Sequence, residues 1–306
     1  MGSPQISDWL FRVSTLAMLA VSWNLMANAG LISLGHSAFW GLGSYASVLS
    51  ANKFGLSLPA SLIVAMLCGA VLGVFLAVAT GRLRGIFFAI ATLALSEGMR
   101  ISAFMLPDVT GGAVGLYLSQ TLRPGVTMLY LVGALAAVAA VLVSYLISLS
   151  RFHFACRAMR NNEAAAQMLG INPYRYRMGL LAISGAMASC AGGMNAWYGG
   201  YLDPEVAFTL HFTILSQIAP ILGGVHTVVG PVIGSFAIVI IAEASRIFLG
   251  QQEGFSQLMY GFVLILGILF MPQGIWGAIS AGWQRHVVSR GRKGSGAGNK
   301  ALEAAE

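Results

Sequence analysis

Long apolar runs dominate this chain, and few charged residues interrupt them. A helix that crosses a bilayer needs about 20 mostly apolar residues, whereas a strand of a membrane barrel shows about ten residues of alternating polarity. The pattern therefore predicts an all-α fold, a polytopic transmembrane helical bundle with about eight or nine spans. The predicted spans are 9–28, 31–51, 56–80, 85–106, 126–149, 178–198, 209–223, 228–248 and 257–279.

Two of these segments are atypical. Segment 31–51 contains few bulky apolar residues, and segment 209–223 is short. Glycine and serine crowd Gly30–Tyr45, which favours irregular backbone, and such backbone survives at membrane depth only when it is buried in protein or lines a cavity. Either segment is therefore a candidate for a broken or re-entrant element. The alternative for Gly30–Tyr45 is a continuous helix whose small residues allow close packing against a neighbour.

The composition supports a membrane protein. Only 9% of the 306 residues are charged, whereas a soluble domain carries about 25%. The 38 glycines fit the same class, because small residues let helices approach closely where lipid removes the hydrophobic driving force between them.

The net charge of +7 raises the question of a nucleic-acid partner, and the position of the basic residues answers it. Twelve of the 17 lie in three clusters: Arg82 with Arg84, the loop 151–177, and the tail that begins at Arg285. With nine crossings all three clusters lie on one side, as expected of cytoplasmic loops. We therefore expect a periplasmic N-terminus, a cytoplasmic C-terminus and no nucleic-acid partner.

The chain divides into a transmembrane domain at 1–284 and a basic tail at 285–306. The tail is rich in glycine, serine and alanine without hydrophobic periodicity, which predicts a disordered cytoplasmic segment. The loop 151–177 is different, because 158–169 contains strong helix formers with an apolar side, followed by Gly170 and Pro173. These are signals of a short capped helix outside the membrane, which suits docking into a groove of a partner. The alternative is a solvated loop that only fixes topology.

Several long motifs follow one another in order along most of the chain: GLISLGHSAFWGLGSY at 30–45, RLRGIFFAIATLALSE at 82–97, TGGAVGL at 110–116, RAMRNNEAAAQMLGI at 157–171, ILGGVHTVVGPVIGS at 221–235 and MPQGIWG at 271–277. Together they resemble the LivM-type permeases of branched-chain amino acid ABC importers. The loop 151–177 differs by one inserted residue from the wider importer pattern Glu-Ala-Ala-x3-Gly, because six residues separate Glu163 from Gly170.

The resemblance implies a multi-pass subunit of a bacterial inner-membrane transporter that works by alternating access. Its implied partners are a second, LivH-like permease, two cytoplasmic ATPase subunits and a periplasmic substrate-binding protein. The residues that would couple this chain to the ATPases are Arg157, Arg160, Glu163, Ala164, Ala165 and Gly170.

The residues themselves agree that the chain is not the ATPase. The phosphate-binding pattern G-x-x-x-x-G-K-[ST] does not occur, and the sequence contains only three lysines. We therefore expect no enzyme activity, no catalytic residues, no metal and no cofactor in this chain.

A substrate pathway is predicted where polar or flexible residues interrupt the spans. A half-helix N-terminus within Gly30–Tyr45 would present free N–H groups to a substrate carboxylate, and Glu97 is an acid within a span. Both features have structural alternatives, namely close helix packing and a simple ion pair between Glu97 and Arg100. The predicted pathway residues are Ser33, Gly35, His36, Ser37, Thr92, Glu97, Gly111 and Gly112.

Three functions remain to be compared. The first is import of branched-chain or related amino acids, with urea, short amides or other carboxylates as alternative substrates in the same family. The second is an ion-coupled secondary transporter, which needs a central acid, and Glu97 is nearly the only candidate. The third, an intramembrane enzyme, would need a constellation such as H-E-x-x-H, which the five scattered histidines do not form.

Overall fold

A computed structural model describes residues 4–249 together with Leu258, 261–262, Ile265 and 274–277. This part is helical apart from one short strand pair, so the predicted all-α fold is confirmed. The longer helices are α1 (Pro4–Asn28), α2 (His36–Phe54), α3 (Leu58–Ala79), α4 (Ile86–Met105), α6 (Val126–Leu149), α7 (Arg151–Asn161), α9 (Pro173–Gly199), α11 (Leu210–Gly223) and α12 (Gly230–Leu249). The short elements are α5 (Pro107–Thr110), β1 (Leu116–Tyr117), α8 (Glu163–Met168), β2 (Tyr201–Leu202) and α10 (Pro204–Ala207), with 3₁₀ turns at Gly112–Val114 and Gln120–Leu122.

Each of the first eight predicted spans corresponds to a helix in this fold. The ninth, 257–279, lies mostly outside the described residues, and the tail 285–306 lies wholly outside them. By length and composition, five described stretches can cross a membrane. They are Ser7–Asn28, Leu58–Ala79, Ile86–Met105, Val126–Leu149 and Pro204–Gly223.

The two atypical segments differ in the structure. In 31–51 the helix begins only at His36, because residues 29–35 form a turn and irregular backbone that leads into α2. In 209–223 the helix α11 has 14 residues, and the preceding short helix α10 completes a 20-residue span from Pro204 to Gly223. The irregular backbone expected within Gly30–Tyr45 is thus present at 29–35, whereas segment 209–223 is a continuous helix from Leu210 to Gly223.

Helix α9 lies at the centre of the bundle and packs against both α3 and α2, which also pack against each other. Glycines allow this close approach. A Cβ atom on Gly69 would lie 2.4 Å from the carbonyl oxygen of Gly185, and a Cβ atom on Gly185 would lie 2.4 Å from that of Gly69. In α2, a Cβ atom on Gly43 would lie 2.1 Å from the carbonyl oxygen of Ser189. Both alternatives for Gly30–Tyr45 are therefore present in the structure: its first residues have irregular backbone, and the helix that follows packs closely through its small residues.

Two basic clusters meet at one end of the bundle, which we call the basic end. Arg177 of α9 donates hydrogen bonds to the carbonyl oxygens of Gly81 and Leu83, at 3.2 and 3.4 Å. At the opposite end β1 pairs antiparallel with β2, with Leu116 opposite Leu202. The Arg82–Arg84 cluster and the loop 151–177 therefore share one side of the bundle, as the charge pattern predicts.

The prediction of one helix over 158–169 is wrong, because the loop 151–177 contains two helices. Helix α7 ends at Asn161 and α8 begins at Glu163. Asn162 separates them, since its side-chain oxygen accepts a hydrogen bond from the N–H of Ala165 at 3.1 Å and so caps α8. The predicted glycine stop is present: Gly170 has a φ of 82°, a left-handed conformation that ends the helix. We call α7, α8 and Gly170 the hairpin.

Candidate functional site

The hairpin presents a large apolar surface to solvent at its tip. Met168 is 90% exposed and Leu169 is 79% exposed, and both lie outside the helices that can cross a membrane. The predicted coupling residues Ala164, Ala165 and Gly170 are exposed beside them. Exposed apolar side chains of this size, grouped on one projection, are typical of a surface that a partner covers. We call Met168 and Leu169 the docking tip.

Glu163, another predicted coupling residue, faces its own chain. Its carboxylate lies 2.8 Å from Nη2 of Arg177 and 3.0 Å from Nε of Arg84. The side chain is 12% exposed, and that of Arg177 is 10% exposed. Glu163 therefore fixes α8 against the start of α9 and against the loop between α3 and α4.

The two predicted coupling arginines of α7 differ from each other. Arg157 is exposed, whereas Arg160 is half-buried beneath the hairpin. Gly30 lies close to it, because a Cβ atom on Gly30 would lie 3.3 Å from Cγ of Arg160. Arg160 therefore lies against the end of α1.

Five predicted pathway residues come together where α2 begins. The hydroxyl of Thr92 accepts a hydrogen bond from the N–H of Leu34 at 3.0 Å, and Oγ of Ser33 accepts one from the N–H of Gly35 at 3.2 Å. Only glycine fits at position 35, since a Cβ atom there would lie 1.9 Å from the carbonyl oxygen of Thr92. The irregular segment 29–35 is thus locked against α4. We call this contact the α2 junction.

Polar groups from two further helices complete the α2 junction. Oγ of Ser37 is hydrogen-bonded to Oγ of Ser96 at 2.6 Å, and the N–H of Ser37 donates to Oγ1 of Thr213 at 2.9 Å. His36 is hydrogen-bonded through Nε2 to Oγ of Ser22 in α1 at 3.2 Å. The N–H groups that were predicted to receive a carboxylate are therefore satisfied by hydroxyl groups of the chain itself in this conformation.

A larger cleft lies directly beside the α2 junction, on the face of α11. Its volume is about 740 Å³, and its walls are mostly aliphatic with a few polar groups. Thr213 belongs to both the cleft and the junction, and Gln217 donates to the carbonyl oxygen of Ser33 at 3.4 Å. The lining residues are Leu34, Leu93, Thr209, Leu210, His211, Thr213, Ile214, Gln217, Ile218, Ile221 and Gly261.

Thr213 and Gln217 are not among the pathway residues that were predicted from the sequence. The signal available for them was their position, because polar side chains four residues apart share one face of the short apolar run 209–223. An aliphatic wall with a few convergent polar groups is the usual composition of a small-molecule site.

The remaining three predicted pathway residues do not join the α2 junction. Glu97 is exposed on α4 and pairs with Arg100, whose Nε lies 3.1 Å from the carboxylate. Arg100 also lies 3.8 Å from the carboxylate of Glu205. Gly111 and Gly112 have φ values of 76° and 54° and form the turn between α5 and the next 3₁₀ turn, at the end opposite the basic end. The ion-pair alternative for Glu97 and the turn at Gly111 both agree with the structure.

Within the described ranges, no group of three or more His, Cys, Asp or Glu side chains is arranged to hold a metal ion.

Comparison with known proteins gives consistent similarities. Residues 5–268 match a family model described as the permease component of the branched-chain amino acid transport system. The chain is 29% identical to the high-affinity branched-chain amino acid transport system permease protein LivM of Escherichia coli K12, over 88% of this chain and 70% of that protein. It is 26% identical to LivH of the same strain, over 86% of this chain and 92% of that protein.

Two further similarities extend the range of relatives. The nucleoside ABC transporter permease protein NupC of Lactococcus lactis is 25% identical over 62% of this chain and 66% of that protein. Among solved structures, PsaBC from Streptococcus pneumoniae in complex with Fab matches with a TM-score of 0.57 and 10% identity, covering 91% of this chain and 96% of that one. At that identity the match supports the fold alone.

Proposed function

Because the chain belongs to the permease-component family of the branched-chain amino acid transport system, we propose that it is a membrane-spanning subunit of an ABC importer. It crosses the inner membrane several times and carries branched-chain amino acids by alternating access. The observation that carries the proposal is the docking tip, a solvent-exposed apolar pair on a hairpin that ion pairs fix to the bundle. A self-sufficient transporter has no need of such a surface.

The partners follow from the same family. Relatives named LivM and LivH both match this chain, which supports a second permease of the same fold beside it. Two cytoplasmic ATPase subunits would bind the hairpins of the two permeases, and a periplasmic binding protein would deliver the substrate. The basic end would face the cytoplasm, with the N-terminus of α1 in the periplasm.

The hairpin has a direct mechanical connection to the transmembrane helices. The carboxylate of Glu163 joins α8 to Arg177, in the first turns of α9, and to Arg84, in the loop that precedes α4. Displacement of the docking tip by an ATPase would therefore move α9 and α4 together. Since α9 packs against α2 and α3, these helices would move as one body and open or close the cleft against α11.

The cleft on α11 supports a branched-chain amino acid as the substrate. Its aliphatic walls would accept a branched side chain, and the hydroxyl and amide groups of Thr213 and Gln217 would bind the polar end. The similarity to a nucleoside permease favours one competitor, a nucleoside, whose ring would need more polar partners. Uptake of radiolabelled leucine and uridine by cells that express the complete importer distinguishes the two.

The docking tip can be tested by changing Met168 and Leu169 together to Asp. We expect this M168D/L169D variant to lose copurification with the ATPase subunits and to lose at least 90% of leucine uptake. The matched control is Val114→Asp, because Val114 is 78% exposed at the opposite end of the bundle. The Val114→Asp control should keep both its copurification with the ATPase subunits and its leucine uptake.

Two results would contradict the proposal. Unchanged uptake and ATPase binding by the M168D/L169D variant would exclude the tip as a docking surface. Leucine uptake by the purified chain alone, driven by an ion gradient without ATPases, would establish the secondary-transporter alternative.

A further inference from the structure

A small basic cavity lies beneath the hairpin and is separate from the cleft on α11. Its volume is about 210 Å³, and it forms where the end of α1, helix α7 and the turn between α11 and α12 meet. Five side chains line it: Asn28, His153, Arg157, Arg160 and His226. All of these side chains can donate a hydrogen bond, and two are permanently cationic. The lining therefore has the chemistry of an anion site.

The positive charge in this cavity has no counter-ion among the described residues. Nη1 of Arg160 is buried and has no hydrogen-bond partner in the described part of the chain. Glu163, the acid of the hairpin, is committed to Arg84 and Arg177 on another side. A buried guanidinium N–H without an acceptor is costly, so its presence indicates that an acceptor binds there.

His226 is held in an unusual backbone conformation at the mouth of the cavity. Its φ is 69°, which among the described residues makes it the one non-glycine residue with positive φ. Two asparagines of α1 maintain it: Oδ1 of Asn24 accepts the backbone N–H at 2.9 Å, and Oδ1 of Asn28 lies 3.2 Å from Nδ1 of the ring. Strain that is stabilised by specific partners is a pointer to function.

A separate apolar groove lies among the membrane-spanning helices, and one of its lining residues is close in the chain to a residue of the cavity. Its volume is about 570 Å³, and α1, α6 and the start of α12 form its walls. It runs past Leu10 and Ala17 of α1 and past Val138 and Tyr145 of α6. Its wall at the basic end includes Val228, two residues after His226 in the chain. The groove and the basic cavity therefore share one face of the bundle.

We propose that the cavity and the groove together bind one anionic phospholipid, with its phosphate diester in the basic cavity and an acyl chain along the apolar groove. The occupant follows from the combination of features, because a free phosphate would use the cavity and leave the groove empty. The position also fits, since the basic end is where the charge pattern places the cytoplasmic leaflet, whose lipids carry negative charge. Lipid binding is measured without transport, so its test does not depend on the importer function, although Arg157 and Arg160 also belong to the hairpin.

The charge requirement is tested by native mass spectrometry of the full-length chain, purified with any subunits that remain bound. Phosphatidylglycerol and phosphatidylcholine with identical acyl chains are added in turn. We expect at least tenfold stronger retention of phosphatidylglycerol, and we expect Arg157→Gln with Arg160→Gln to abolish this preference. The matched control is Arg82→Gln with Arg151→Gln, which removes the same charge at the same end from exposed residues outside the cavity. The control should change retention by less than twofold.

The groove requirement separates a lipid from a free phosphate. Val138→Trp fills the groove without changing charge, and Leu135→Trp is its control, because Leu135 is exposed on α6 outside the groove. We expect Val138→Trp alone to weaken phosphatidylglycerol retention at least fivefold, and inorganic phosphate or glycerol 3-phosphate at millimolar concentration not to displace the lipid.

Three outcomes would overturn the proposal, and the first needs no variant and so does not depend on folding. They are equal retention of the two lipids by the unmodified chain, full displacement by inorganic phosphate, and identical losses in the arginine pair and its control.

Discussion

Glu163 holds two arginines that differ sharply in their exposure to solvent. The side chain of Arg177 is 10% exposed, whereas that of Arg84 is 63% exposed. A surface ion pair contributes little to stability, because water already solvates both charges. A buried guanidinium that loses its carboxylate keeps the cost of desolvation without the compensating attraction. The two ion pairs of the Glu163 carboxylate therefore contribute unequally to the stability of the protein.

We expect Glu163→Gln to lower the free energy of unfolding by about 2 kcal/mol or more, because it leaves Arg177 buried without a counter-charge. Arg84→Gln, which removes only the exposed pair, should cost about 1 kcal/mol or less. Thermal unfolding of both variants in the same detergent measures the difference. Equal losses would show that the exposed pair matters as much as the buried one.

His226 gives the lipid site a dependence on pH. Burial, Arg160, Arg157 and His153 lower the pKa of His226 to about 4, and burial and the same arginines lower the pKa of His153. From α1 the neutral side chain of Asn28 faces the ring. Both histidines are therefore neutral at pH 7. A bound phosphate diester would raise their pKa values, because a nearby negative charge favours the protonated form.

Binding that raises a pKa takes up protons, so the affinity increases as the pH falls. We expect phosphatidylglycerol retention to increase severalfold between pH 7.5 and pH 5.5, a range in which its phosphate diester keeps its charge. In His153→Gln with His226→Asn the response should be flat, and asparagine tolerates the positive φ at position 226. Weaker retention at pH 5.5 would contradict the assignment of the histidines.

Among the helices, α3 and α9 meet through backbone contact that only glycine permits. A Cβ atom on Gly185 would lie 2.4 Å from the carbonyl oxygen of Gly69 and 2.8 Å from Cε1 of Phe39. Neither the backbone oxygen nor the buried ring can move away easily, since α9 also packs against α2.

We expect Gly185→Ala to destabilise the bundle by about 1–3 kcal/mol, the usual cost of overpacking a close contact. Gly98→Ala is the control, because Gly98 lies in α4 with no atom near the position of a Cβ. The control should leave stability unchanged or raise it by up to about 1 kcal/mol through better helix propensity. Thermal unfolding in detergent compares the two variants. If Gly185→Ala left the stability unchanged, α3 and α9 would have to be farther apart than the 2.4 Å approach requires.

The positions of the helices could be predicted from the sequence because spanning length and apolar composition are local properties. The start of α2 at His36 could not, since the irregular segment before it depends on hydroxyl groups of Thr92 and Thr213, distant in the chain. The break at Asn162 was also missed, although an asparagine before Glu163 is a helix-start signal. Strong helix formers on both sides of Asn162 predicted one continuous helix, whereas the side chain of Asn162 starts a new helix by accepting the N–H of Ala165.

The candidate site could be predicted only in part, because residues close in sequence can be grouped from the sequence and contacts between distant segments cannot. Ser33, Gly35, His36 and Ser37 are close in sequence, so their clustering follows from one irregular segment. Glu97 was included because an acid within a span is a functional candidate, and the structure instead pairs it with Arg100 on the exposed face of α4. The predicted coupling residues lie on one hairpin, where Glu163 and Arg160 turn inward and Ala164, Ala165 and Gly170 turn outward.

For the whole molecule, the basic end and the opposite end should lie on different sides of the membrane. We expect a cysteine in place of Met168 to react with an impermeant maleimide only from the cytoplasmic side, and one in place of Val114 only from the periplasmic side. Both positions are highly exposed, and the background lacks Cys68, Cys156 and Cys190. Reaction of the cysteine at 168 from the periplasmic side would show that the protein has the opposite orientation in the membrane.

The burial of α2 has a consequence for how the protein is made. Of its 19 residues 13 are buried, including several serines, and it is not among the five stretches apolar enough to enter lipid alone. The ribosome completes α2 long before α9, the helix that accepts the hydrogen bond of Ser44 through the carbonyl oxygen of Gly192. Until α9 emerges, α2 needs shelter within the insertion machinery, so we expect chains truncated before residue 173 to be poorly inserted and rapidly degraded.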